Sequence, residues 1–324
     1  MLEYNKLNIR TWSILGSRGT YGHVLNEIAG YNGNIVALTA DLCVTSGLER
    51  YRLNHQERFI NIGIAEQNMV GIAAGLAAGG MVPFISSFSN FLAMRSCEQM
   101  RHFLGYMNEN VKAVGLAAGF AMGMFGVTHY GIEDIAALRA ISNLTVISPA
   151  DCTETAKAIE AAAEFDGPAY IRLTGVMNAP IVYRQDYDFK IGKAIFLRDG
   201  RDVCVIATGA SVHHSLTAAE ILSERGVDCA VMDVHTIKPL DGEAIEAAVG
   251  GKRLIVTVEE HSVVGGLGGA VAESLAGLDA RPPHLIIGIQ QGYPRGGSYT
   301  YLLEQCGLTG PKIADRITER LRGA

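Results

Sequence analysis

The chain has 324 residues, 48% hydrophobic and 19% charged, a balance that excludes disorder and fibrous repeats and allows about two cores at roughly 150 residues per domain. Its net charge is −6, and no Lys/Arg run exceeds two residues, so the electrostatic footprint of a nucleic-acid or acidic-membrane binder is missing. Glycine is abundant at 38 residues, proline scarce at 9 and aromatics only 7%, which suits the tight strand-to-helix turns of an α/β protein and excludes an all-β secreted scaffold. Six cysteines without a CxxC pair (Cys43, Cys97, Cys152, Cys204, Cys229, Cys306) argue against a zinc ribbon or disulfide framework and read as reduced core thiols. The first residues contain no apolar leader and no uncharged apolar run reaches about 18 residues, so a cytoplasmic chain is expected.

Taken in chain order, residues 34–41, 82–87, 111–117, 144–149 and 168–174 are short β-branched runs separated by alanine-rich amphipathic stretches, the alternation of a parallel sheet. A second series follows at 202–210, 228–237, 253–260 and 284–289. Between them lies a polar, non-periodic segment with Asn178, Pro180 and several Asp and Tyr residues, a linker by composition. The expected organisation is an extension over 1–9, an α/β domain over 10–177, a linker over 178–191 and a second α/β domain over 192–324. Two parallel or mostly parallel sheets flanked by helices follow from it.

The segment at 58–80, RFINIGIAEQNMVGIAAGLAAGG, runs from a strand-like stretch into a helix of small residues. Glu66 stands in the first helical turn, where the macrodipole favours any acid. An ordinary helix-start glutamate is one reading. The other rests on the small-sided helix, which implies close packing and a largely desolvated carboxylate able to carry a proton.

GIAEQNM, FISSFSNF and GVTHYGIEDIAALR together resemble the pyrimidine-binding and C-terminal domains of transketolase, and the resemblance extends over nearly the whole chain. The first and third segments are jointly characteristic of the thiamine diphosphate superfamily, which includes 1-deoxyxylulose-5-phosphate synthase and the β subunits of 2-oxo acid dehydrogenases. The resemblance implies that Glu66 hydrogen-bonds a ring nitrogen of the cofactor's aminopyrimidine, and that Phe88 and Phe91, three residues apart on a helix start, stack on that ring. Without it, the phenylalanines read as a core face. Met94 falls where transketolase often has tyrosine. Asp41, in TAD at a strand's carboxyl end, matches an aspartate near the thiazolium; alone it is a turn or cap residue. His129, otherwise a solvated loop histidine, matches a residue that contacts the substrate oxygen. Arg18 keeps the spacing to Asp41 of a phosphate-binding arginine.

Three positions depart from the family pattern. Gly175, Ala117 and Phe125 stand where transketolase uses polar or charged residues on its sugar phosphate, which points to an unusual sugar, deoxygenated, branched or nucleotide-activated. Arg172, two residues short of the expected phosphate arginine, reads as a salt-bridged structural residue. No GDG motif is found, LRDGRD being a polar turn before a strand, and no oxygen-ligand cluster for a metal is evident. The glycine-rich run after Glu259, Glu260 and His261 is mainly structural by resemblance, although such a turn can bind diphosphate.

The resemblance therefore implies half an enzyme: the C-terminal subunit of a split transketolase. It would use thiamine diphosphate with Mg2+ held by an N-terminal diphosphate-domain partner, form an α2β2 heterotetramer through self-dimerisation of this chain, and take sugars or sugar phosphates as substrates. A synthase-like or dehydrogenase-β-like subunit, or a noncatalytic regulatory subunit, are the alternatives. Joint retention of Glu66, Phe88, Phe91, Asp41 and His129 weighs against the last.

Overall fold

The computed structural model describes residues 2–323. A helix, Lys6–Tyr31, leads into β1 (Ile35–Thr39), β2 (Phe59–Asn61), β3 (Val82–Phe88), β4 (Lys112–Leu116), β5 (Thr145–Ile147) and β6 (Ala169–Arg172). The second half contains β7 (Ile195–Arg198), β8 (Val203–Ala207), β9 (Cys229–Asp233), β10 (Thr236–Lys238), β11 (Leu254–Ser262) and β12 (His284–Ile289). One sheet has the order β10-β5-β6-β4-β3-β1-β2 and the other β12-β11-β8-β9-β7. All pairings are parallel except β10 on β5 and β7 on β9. The fold is α/β, two mostly parallel sheets flanked by helices.

Every residue of β1 and β4 is buried, as expected of strands covered on both faces. The helices Lys6–Tyr31 and Cys152–Glu164 supply one cover. The helix Glu66–Ala78 and the helical stretch 91–106 supply the other. From β1 the chain continues to β2 on one side, and from β3 to β4 on the other. The crevice beyond the carboxyl ends of β1 and β3 is therefore the sheet's switch point, where open parallel sheets bind ligands. No described helix is long and apolar enough to cross a membrane.

The structure corrects one strand. Residues 228–237 read as a single run, but β9 stays in the second sheet while β10 crosses to the first, pairing Thr236 with Ile147. At the changeover Val234 donates its N–H to the Ala207 carbonyl (2.8 Å), and the His235 carbonyl accepts from Ser148 N–H (2.7 Å). Each sheet satisfies one backbone group, so the chain changes sheets without orphaning either.

Two polar networks join the halves. Arg172 is buried, donates from Nε to Asp134 Oδ2 (2.8 Å), and donates from Nη2 to the carbonyls of Gly131 (2.8 Å) and Glu260 (2.9 Å). The Glu260 carboxyl accepts from Phe120 N–H (2.6 Å) and Tyr299 hydroxyl (2.8 Å). Arg172 is thus the salt-bridged structural residue expected. In the second network, Asp151 Oδ2 accepts the N–H groups of Val182 and Tyr183. Tyr183 and Tyr187 stack at 4.1 Å and donate their hydroxyls to Asp233 and Glu154 respectively.

Candidate active site

Phe88 ends β3 and Phe91 opens a π-helical stretch, Phe91–Arg95. This corrects the expectation that both rings share an α-helical face. They meet edge-on at 5.6 Å because the chain turns off the strand between them. His129 ends a short 3-10 turn, Val127–His129, and its ring lies 5.3 Å from Phe88, 5.5 Å from Phe91 and 5.1 Å from Phe125. Asn90 Nδ2 donates to the Thr128 carbonyl (2.7 Å) and pins this turn beside the π-helical stretch. Thr128 Oγ1 pairs with His129 Nδ1 at 3.0 Å. A Gly at 126 with φ +75 permits the reversal that precedes the turn.

Glu66 is the first residue of the helix Glu66–Ala78 and is only 2% exposed. Its Oε1 accepts from Ser87 Oγ (3.0 Å) on β3, and its Oε2 accepts from Arg95 Nη1 (2.7 Å). The Arg95 guanidinium carbon sits 4.0 Å above the centre of the Phe91 ring. One continuous group therefore runs from Glu66 through Arg95 and Phe91 to Phe88 and His129. The carboxylate is desolvated, as the sequence implies, but it has a cationic partner that sequence reasoning missed. Arg95 stands four residues after Phe91, a spacing that brings side chains together on a helix, and this was the available signal.

Asp41 follows β1 in a left-handed conformation (φ 58), one that Asp tolerates. Its N–H donates to Asn61 Oδ1 (3.0 Å), and Asn61 Nδ2 returns a bond to Asp41 Oδ1 (3.1 Å). The carboxyl ends of β1 and β2 are tied together in this way. Arg18 follows a break in the first helix at Gly16 (φ 73), where a Cβ would lie 3.1 Å from the Val176 carbonyl oxygen. Arg18 Nη1 donates to the Thr45 carbonyl at 3.4 Å, in the loop that carries Asp41 away from β1. Burial lowers the Arg18 pKa from its ordinary value. Met94 is half exposed and borders an open depression with Phe91, Arg95 and Tyr293.

The three departures have distinct settings. Gly175 has φ +80 with open space around it, Ala117 is buried with φ 54, and Phe125 is 66% exposed beside His129. Among the described residues, no group of three or more His, Cys, Asp and Glu is arranged to hold a metal ion. The glycine-rich turn after β11 is capped internally: Glu259 accepts the N–H groups of Leu267 (2.7 Å) and Gly268 (2.8 Å), filling the position an anion would take. Tested against thiamine diphosphate, the residues present fit the aminopyrimidine half, with a buried carboxylate beside aromatic faces at the switch point.

Residues 15–175 match the transketolase pyrimidine-binding domain, and residues 192–313 match the transketolase C-terminal domain. A chain of Methanocaldococcus jannaschii described as a transketolase C-terminal section is 42% identical over 95% of this chain and 96% of its own length. The 6-deoxy-6-sulfo-D-fructose transketolase subunit SqwH of Clostridium sp. is 40% identical over 94% of each. A solved split-gene transketolase, described as an inactive β4 tetramer, superposes with a TM-score of 0.84 at 37% identity, covering 94% of this chain and 97% of the other. The chain belongs to the transketolase family and carries that family's pyrimidine-binding and C-terminal domains.

Proposed function

We infer that this chain is the C-terminal subunit of a split transketolase, a cytoplasmic transferase that moves a two-carbon ketol unit from a ketose to an aldose. The observation that carries this reading is the Glu66 carboxylate, buried at the switch point and held by Ser87 and by Arg95, whose guanidinium stands over the Phe91 ring that packs with Phe88 and His129. Bound thiamine diphosphate would supply the electron sink for the carbanion left when the C–C bond breaks. Glu66 would hold the proton at an aminopyrimidine ring nitrogen, and Phe88 and Phe91, extended by the Met94 thioether, would orient that ring. Asp41 would stand on the thiazolium side, as the family resemblance implies. His129, with Nδ1 engaged by Thr128, would offer its other ring nitrogen to a substrate oxygen.

Arg18 remains as a recognition group for an anionic end of the sugar. Gly175, Ala117 and Phe125 remove polar contacts elsewhere, which favours an acceptor or donor other than a common sugar phosphate. The sulfosugar specificity in the name of one relative supports such a substrate. With no GDG motif in the sequence, the family resemblance calls for a partner chain that supplies the diphosphate and Mg2+ site, with two copies of each chain in the assembly. The description of the solved relative as an inactive β4 tetramer fits this division.

The test is purification of this chain alone and with a GDG-containing partner, followed by a donor and acceptor screen with thiamine diphosphate and Mg2+. The expected result is no transfer by the chain alone and transfer by the complex. Activity from the chain alone overturns the split reading. Rapid turnover of xylulose 5-phosphate with ribose 5-phosphate overturns the unusual-sugar reading.

A further inference from the structure

Arg95 is bound in an unusual way for a partner of a buried carboxylate. Among the described residues its guanidinium makes a single hydrogen bond, from Nη1 to Glu66 Oε2, and its carbon stands 4.0 Å over the centre of the Phe91 ring. The Arg95 side chain is 42% exposed whereas Glu66 is 2% exposed, so the cation can withdraw to water while the carboxylate cannot. The backbone beneath is π-helical, a rare geometry that concentrates at functional sites. Gln67 Nε2 donates to the Arg95 carbonyl (3.0 Å) and fixes the residue's backbone, leaving the side chain as the movable part.

The two contacts Arg95 makes are a hydrogen bond donated to Glu66 and a planar cation over the face of Phe91. An aminopyrimidine with a proton-bearing ring nitrogen would make the same two contacts. We propose that Arg95 is a placeholder for the cofactor ring: it neutralises Glu66 and covers Phe91 while the site is empty, and swings to solvent as the ring enters. The inference rests on the functional reading above.

Leaving Glu66 with no cation is costly because the carboxylate is desolvated. Exchange of the guanidinium for a ring nitrogen that has taken a proton from solvent keeps a positive charge beside the carboxylate and avoids that cost, and it selects for a planar ligand whose edge carries that proton. Arg95 is a positioning residue in this scheme. It sets the orientation of Glu66 before binding and is absent from the contacts afterwards, so the cofactor competes with it.

Competition predicts opposite signs for two measurements, which a purely structural residue would not produce. In Arg95→Met the cofactor-free chain melts at a lower temperature than wild type, while the complex with its partner binds thiamine diphosphate at least three-fold more tightly by calorimetry. Arg95→Lys restores the charge and returns both values toward wild type, and Arg95→Gln serves if the Met variant does not fold. Unchanged or weaker cofactor binding in Arg95→Met overturns the placeholder. Failure of the wild-type complex to bind thiamine diphosphate overturns both this inference and the functional reading.

Discussion

Two arginine–carboxylate pairs of nearly equal length, Arg172–Asp134 at 2.8 Å and Arg95–Glu66 at 2.7 Å, do different work in this molecule. In the first, both side chains are at most 1% exposed, and the guanidinium also serves two carbonyls, one in each half of the chain. Tyr170 hydroxyl fills a further site on Asp134 at 2.7 Å. In the second, only the carboxylate is buried, and the guanidinium spends one donor and one face. Chemistry is the same in both; the number of bonds that must break together is not. The saturated pair is a fixed joint between the two sheets, and the half-open pair can be exchanged.

The largest expected effect breaks the joint. Arg172→Met strands Asp134 and the carbonyls of Gly131 and Glu260, and removal of one member of a buried ion pair costs about 3–5 kcal/mol. Urea unfolding of this variant should show that loss, beyond the loss in Arg95→Met, where one hydrogen bond is broken and no carbonyl is stranded. Equal destabilisation by the two substitutions would remove the distinction between the pairs.

Acidity at the joint gives a second, smaller effect. Burial pushes Glu260 up from its ordinary 4.5 to about 7, and likewise raises Asp233 to about 7. Between the ordinary and the raised values the folded chain binds more protons than the unfolded chain, so stability falls as pH rises across this window and levels off above it. Burial holds His214, His235 and His261 down to about 4, which raises stability with pH below about 6.5, so the share of Glu260 is read as a difference between two proteins. The stability of wild type relative to Glu260→Gln should fall from pH 5 to pH 7, and a difference that stays constant or grows over this range would contradict the assignment.

Much of this was legible in the sequence because the signals were local. Apolar runs of strand length marked β1, β3, β4, β6, β8, β11 and β12, and contiguous motifs, through the family they resemble, pointed to Glu66, Phe88, Phe91 and His129, which the fold brings into one cluster with Arg95. Nonlocal choices were not legible. The run at 228–237 carries one strand-like pattern, yet Ala207 and Ser148 claim its backbone from different sheets and divide it. β2 and β7 are three and four residues long and too short for a period. The Glu66–Arg95 pair spans 29 positions, and nothing between them announces that the helix carrying Arg95 will widen to π geometry. Phe88 looks helical by its spacing to Phe91, but β3 extends through it because its partner β4 continues the ladder to Leu116.

The smallest expected change in stability tests the open pair from its aromatic side. Phe91→Leu keeps an apolar side chain and leaves the Glu66–Arg95 ion pair in place, but it removes the ring face under the guanidinium, a contact worth about 0.5–1 kcal/mol at an exposed position. The cofactor-free chain should therefore lose about that much in urea unfolding. The same ring face is the one a cofactor pyrimidine would use, so thiamine diphosphate binding to the complex should weaken in Phe91→Leu, whereas it tightens in Arg95→Met. Two substitutions on either side of one cation–π contact then shift affinity in opposite directions, because one removes the competitor and the other removes the surface competed for. If both weaken binding, the guanidinium belongs to the loaded site and the pair is as fixed as Arg172–Asp134.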